Sequence, residues 1–148
     1  MIQKLVDGQW LEFCVILAAI LLSLSFHEFG HAWVAKRFGD DTAQRAGRLT
    51  LNPISHIDPM GLMMVVFVGF GWAKPVPTDP RNFTSRYADM LVAAAGPAMN
   101  LLLAVIVVNV LVQVWGFSWY KGEILPEAML YVAKINLLLM VFNLLPIG

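Results

Sequence analysis

The sequence predicts an all-α polytopic membrane protein, and three observations carry that prediction. Of its 148 residues, 59% are hydrophobic and only 14% are charged, against about 25% charged in soluble domains; the mean hydropathy is +0.70. Three apolar stretches are long enough to cross a bilayer, which takes roughly 20 residues. The basic residues gather between the first and second of these stretches. Ten basic and ten acidic residues leave no net charge, so no basic excess exists to neutralise phosphates and no nucleic-acid partner is expected. The single cysteine, Cys14, excludes an intramolecular disulfide.

The first span starts at Trp10, runs through residues 11–26 and keeps a helical pattern through 27–35 before Lys36, Arg37 and Gly39. Trp10 suits one membrane interface, Lys36 and Arg37 the other. Because the apolar run continues into His27 and Glu28, with no small-residue cleavage site, it does not read as a cleaved signal peptide. Residues 40–59 are polar and turn-rich, and 47–51 have weak strand character at best. The apolar run 61–73 is too short for an untilted span and suits a re-entrant or membrane-buried segment. Residues 74–86 are polar again. The second span covers 87–115, interrupted by Gly96, Pro97 and Asn100; a loop rich in aromatic and acidic residues is expected at 117–127. The third clear span covers 128–145 and carries Lys134, Asn136 and Asn143. Residues 1–148 read as a single membrane-embedded core.

Charge placement sets the orientation. Lys36, Arg37, Arg45, Arg48, Lys74, Arg81 and Arg86 all lie between the first and second spans, while Lys4 and Lys121 flank the other ends. By the positive-inside rule residues 36–86 face the cytoplasm and the N-terminus lies outside. This requires 61–73 to enter and leave on one side.

The run His27-Glu28-Phe29-Gly30-His31 fits H-E-x-x-H. Residues four apart share one helix face, so both imidazoles can reach one metal with Glu28 beside it. Two neutral histidines suit Zn²⁺, and a catalytic site keeps one coordination position for water, whose proton a neighbouring carboxylate can take. On a soluble helix the same pattern is often a solvated surface. Within a membrane span ionisable groups are costly and usually functional, which favours metal.

The chain resembles the site-2 proteases, intramembrane zinc metalloproteases. The resemblance rests on His27–His31, on Asn52-Pro53 with His56-Ile57-Asp58-Pro59, and on Gly71-Trp72-Ala73-Lys74-Pro75-Val76-Pro77. It continues through Asn82-Phe83, Ala95-Gly96-Pro97 with Asn100, and Phe142-Asn143-Leu144-Leu145-Pro146. It implies cleavage of a substrate's transmembrane segment in or near the bilayer, and a third zinc ligand, an aspartate a few residues beyond Asn-Leu-Leu-Pro. The sequence stops at Gly148, before that position, and so reads as truncated and inactive alone. Asp58 belongs to a different motif.

The expected site is therefore His27 and His31 on zinc, Glu28 as general base and Asn143 as an oxyanion donor. Gly96 also suits close helix packing, and Asn100 either bonds to another helix or touches substrate. His56 reads as a loop residue, and Lys134 either faces the bundle or snorkels. Two other classes stay open: an inactive relative that binds membrane helices, and a metal transporter, which would need ligands along the whole pathway. The expected setting is multi-pass in the cell membrane, with the site near the cytoplasmic side. Cysteines placed at positions 45 and 81 in a Cys14-free background should label from the cytoplasm, and one at 121 from outside. Labelling of 45 and 81 from opposite sides would overturn this topology.

Overall fold

Three Asx-Pro pairs punctuate the polar stretch between the first two expected spans, and each opens a helical turn. The computed structural model describes residues 8–68, 74–116 and 124–144, the side chains of 124, 125 and 142–144 excepted. Five helices occur among them: α1 Trp10–Arg37, α2 Thr42–Arg45, α3 Pro59–Val68, α4 Ala88–Trp115 and α5 Ile124–Leu144. Two 3-10 turns, Pro53–His56 and Pro80–Asn82, complete the set. Asn52 and Asp79 cap the two turns by accepting the N–H groups of Ile54 and Arg81, and Asp58 accepts that of Met60 at the start of α3. Proline fits behind each cap because the first helical N–H would lack an intrahelical partner anyway.

The described residues are helical or irregular and contain no strand, so the weak strand tendency of 47–51 is not realised. There the Arg48 N–H instead bonds back to the Ala43 carbonyl at 2.8 Å. Two of the expected spans, α1 and α4, are 28-residue helices long and apolar enough to cross a membrane. The third, expected at 128–145, falls in α5, a 21-residue helix that is not one of the two meeting that measure among the described residues. The expected buried segment 61–73 is represented by the ten-residue α3; 69–73 lie outside the described residues. So do 117–123 of the expected loop, whose last four positions instead belong to α5. Pro126 is accepted there because it sits in the helix's first turn, where N–H groups have no partner to lose.

Helix α4 packs against both α1 and α5, and α1 also touches α5. Small residues line these contacts: Ala19, Ala32 and Ala35 of α1, Ala95 and Ala104 of α4, and Ala133 of α5 are all buried. The larger Leu101, Leu102, Val105 and Ile106 of α4 point outward. This inverts the layout of a soluble protein. Lipid is as apolar as leucine, so helices associate by backbone approach and polar bonds rather than by hiding hydrocarbon.

Helices α1 and α4 approach closely at Gly30, where a Cβ would lie 2.5 Å from Met99 Cγ and 2.7 Å from the Ala95 carbonyl oxygen. Just past the end of α1 and its cap Phe38 comes Gly39, whose φ of +97° is the left-handed conformation that glycine adopts cheaply after a helix C-terminus. The chain then reverses through Asp40, which is 1% exposed. Its carboxylate accepts from the Thr42 hydroxyl and N–H, the Asp79 N–H and the Asn82 amide. Burial alone would raise the Asp40 pKa, but these donors outweigh it and hold the carboxyl below its ordinary range. Asp40 thereby ties the end of α1 to residues 79–82.

Gly30→Ala should force α1 and α4 apart, since the Ala95 carbonyl is backbone and cannot rotate away. Overpacking of this kind costs about 1–3 kcal/mol, more than the helix propensity gained. Thermal unfolding in detergent should show a lower Tm, and an unchanged or higher one would contradict the contact.

Candidate metal centre

His27 and His31 lie one helical turn apart on the side of α1 that faces α4. Their Nε2 atoms are 3.0 Å apart. The proton on each ring is fixed by what its other nitrogen touches. His31 Nδ1 lies 2.6 Å from the Val92 carbonyl oxygen, which only accepts, so Nδ1 carries the proton and Nε2 the lone pair. His27 Nδ1 lies 2.8 Å from Asn100 Oδ1. The amide is oriented by its nitrogen, which donates to the Ser23 carbonyl at 3.1 Å and to Asn136 Oδ1 at 2.8 Å. His27 is therefore also protonated on Nδ1. With these tautomers the two Nε2 lone pairs face each other at 3.0 Å, an arrangement that a bound cation would satisfy.

Each imidazole is held by a hydrogen bond on its far nitrogen, as metal-binding histidines usually are, so the pair could supply two donors to a metal. Among the described residues no group of three or more His, Cys, Asp and Glu side chains converges on one point; the described part of such a site is the histidine pair. Gly96 of α4 closes over it. A Cβ there would stand 2.5 Å from both His27 Cε1 and His31 Nε2, so the glycine is a clearance as well as a packing residue.

Glu28 is half-buried beside the pair, and its Oε2 accepts the Val76 N–H at 3.1 Å. Residues 74–79 are irregular and are held in place from the opposite side. The Lys74 N–H donates to the His56 carbonyl at 2.8 Å, and the Arg48 guanidinium donates to the carbonyls of Lys74 and Pro75. Arg48 also donates to His56 Nδ1 at 3.2 Å, leaving His56 Nε2–H to donate to the Thr50 carbonyl at 2.7 Å. His56 is thus a loop residue, as its motif suggests, and Arg48 is a structural cation that sequence reading treated only as part of the charge count.

Of the predicted site residues, the structure brings the His27 and His31 rings together, while the carboxylate of Glu28, next to His27 on α1, bonds to Val76. Asn143 lies in α5, but its side chain is outside the described residues. Asn100 bonds across to another helix, as one of its two readings had it, and that helix carries His27. Lys134 is exposed on α5. Ser23 and Asn136, wholly buried, were not singled out; a serine and an asparagine within apolar spans were the available signal. A cavity of about 690 Å³ near the N-termini of α1 and α5, lined by Trp10, Glu12, Glu127 and Tyr131 among others, contains none of the site residues.

Residues 15–126 match peptidase family M50. The chain is 42% identical over 137 residues to "Putative zinc metalloprotease YwhC" of Bacillus subtilis, covering 89% of this chain and 63% of that one. It is 32% identical over 140 residues to "Putative zinc metalloprotease Rip2" of Mycolicibacterium smegmatis, and 34% identical to the protein of that name in Mycobacterium tuberculosis. Those alignments cover 91% of this chain and 53% of each relative, so the chain spans between half and two thirds of the relatives it matches. No solved structure matches it.

The clearance at Gly96 gives a direct test of the site. Gly96→Ala should weaken divalent-metal binding by about 10-fold or more, the scale on which disturbed ligand surroundings act. Metal content after dialysis against a competing chelator would show it, and wild-type retention would argue against metal at this pair.

Proposed function

Because the chain belongs to peptidase family M50, the site-2 protease family, we propose that it is the core of an intramembrane zinc metalloprotease. Its substrates on this reading are membrane proteins, cut within or near a transmembrane segment. The observation that carries the proposal is the pair of imidazole lone pairs, oriented by Asn100 and Val92 and set beside a carboxylate. The names of the relatives support zinc as the metal.

His27 and His31 would hold the ion through Nε2, while their Nδ1–H bonds keep the rings from turning. Catalytic zinc takes three protein ligands, and the histidine pair would supply two of them. When bound, zinc supplies Lewis acidity that brings the pKa of water toward ~7 and polarises the scissile carbonyl. Glu28 takes the proton of the attacking water and returns it to the leaving amine. Its bond from the Val76 N–H fixes where the carboxylate sits. Asn143 is the proposed donor to the oxyanion.

The site's depth constrains the substrate. His27 and His31 lie six to ten residues before the end of α1 at Arg37, which is roughly 9–15 Å along the helix axis. With Lys36 and Arg37 at the cytoplasmic interface, the pair lies inside the bilayer on its cytoplasmic side. A substrate helix hides its carbonyls in its own hydrogen bonds and must unwind locally to be cut.

Glu28→Gln should lower the cleavage rate of a model transmembrane substrate in proteoliposomes by about 10²–10⁴-fold, with bound zinc retained because both imidazoles remain. Cleavage at the wild-type rate would remove Glu28 from its role, and loss of zinc would mean that it holds the metal instead.

A further inference from the structure

We propose that Asn136, on α5, is a positioning residue for His27: acting through Asn100, it keeps the ring in the Nδ1–H tautomer that leaves Nε2 open to metal. This rests on reading His27 Nε2 as a metal donor. A neutral imidazole carries its proton on either nitrogen, and only one of these forms can bind a metal through Nε2. The choice passes to Asn100. Were its amide turned by half a rotation, its NH₂ would face His27 Nδ1, the ring proton would move to Nε2, and that nitrogen could not bind.

Two acceptors oppose the turn. In the turned state Asn100 Oδ1 would sit where Nδ2 now lies, 3.1 Å from the Ser23 carbonyl oxygen and 2.8 Å from Asn136 Oδ1. Asn136 is itself oriented, since its Nδ2 donates to Ser23 Oγ at 2.8 Å and to the Val132 carbonyl at 2.7 Å. Ser23 Oγ spends its one proton on the Ala19 carbonyl at 2.7 Å. The chain therefore runs one way, each member donating to the next: His27, Asn100, Asn136, Ser23 and the Ala19 carbonyl. It ends on a backbone oxygen that can only accept. Ser23, Asn100 and Asn136 are all 0% exposed, so no solvent can take the place of a missing partner. Helix α5 thus reaches the histidine through α4.

The test is ¹⁵N NMR of His27 in detergent-solubilised, zinc-free protein, at a pH where imidazole is neutral, together with zinc affinity. Asn136→Leu removes the acceptor facing Asn100; Asn136→Asp keeps one. The leucine variant should populate the Nε2–H tautomer and bind zinc about 10-fold more weakly, while the aspartate variant should stay with the wild type in both. A leucine variant that holds the Nδ1–H form alone would overturn the proposal. Should that variant not fold, the wild type still decides. Slowly exchanging Asn100 amide protons and an Nδ1–H His27 support the relay, and an Nε2–H His27 overturns it. A wild type that holds Nδ1–H but binds no zinc would uphold the relay and refute the metal reading.

Discussion

In a buried seam no bulk water stands ready to satisfy a polar group, and this constraint orders everything around His27. An imidazole placed there needs a partner for each nitrogen. One nitrogen finds Asn100, which then has an amide of its own to satisfy, and that demand passes on through Asn136 and Ser23 until it reaches backbone. The other nitrogen faces its counterpart on His31. The same economy that stitches three helices together leaves the two Nε2 atoms facing each other, where the proposed chemistry needs a cation.

The bundle tolerates this polar seam because its helices approach through alanine and glycine. Gly30 and Gly96 lie on opposite sides of the same contact, the first admitting the Ala95 carbonyl and the second admitting the two imidazoles. Larger residues at either place would hold α4 away, and the amide of Asn100 would lose its reach to His27. Packing and chemistry are therefore one requirement here, met by the absence of side chains.

How much of this could be read from sequence follows from the range of each interaction. The histidine pair was legible because its geometry is local: four residues on a helix always make one turn. The long spans α1 and α4 were legible because hydropathy sums over many residues, and Trp10 and Arg37 marked the ends of α1 correctly. The partner of Asn100 lay 73 positions away, and nothing local distinguishes a helix-bridging asparagine from a substrate-binding one. Arg48 looked like one more cytoplasmic charge, yet it is 7% exposed and bonded to His56 and to the chain at 74–75. The beginning of α5 was misplaced for a simpler reason. Its aromatic and acidic residues were read as a loop, although an acidic residue such as Glu127 is equally at home in a first turn.

The contact between Glu28 and Val76 has a further implication. Val76 stands between Pro75 and Pro77, and proline has no backbone N–H. Of these three consecutive residues only the middle one can donate to the carboxylate. Sliding the segment by a single position in either direction would offer Glu28 a pyrrolidine ring. The two prolines thus work as a keyway, with one accepted setting and no near miss. Arg48 and His56, by gripping the chain just upstream, hold it at that setting.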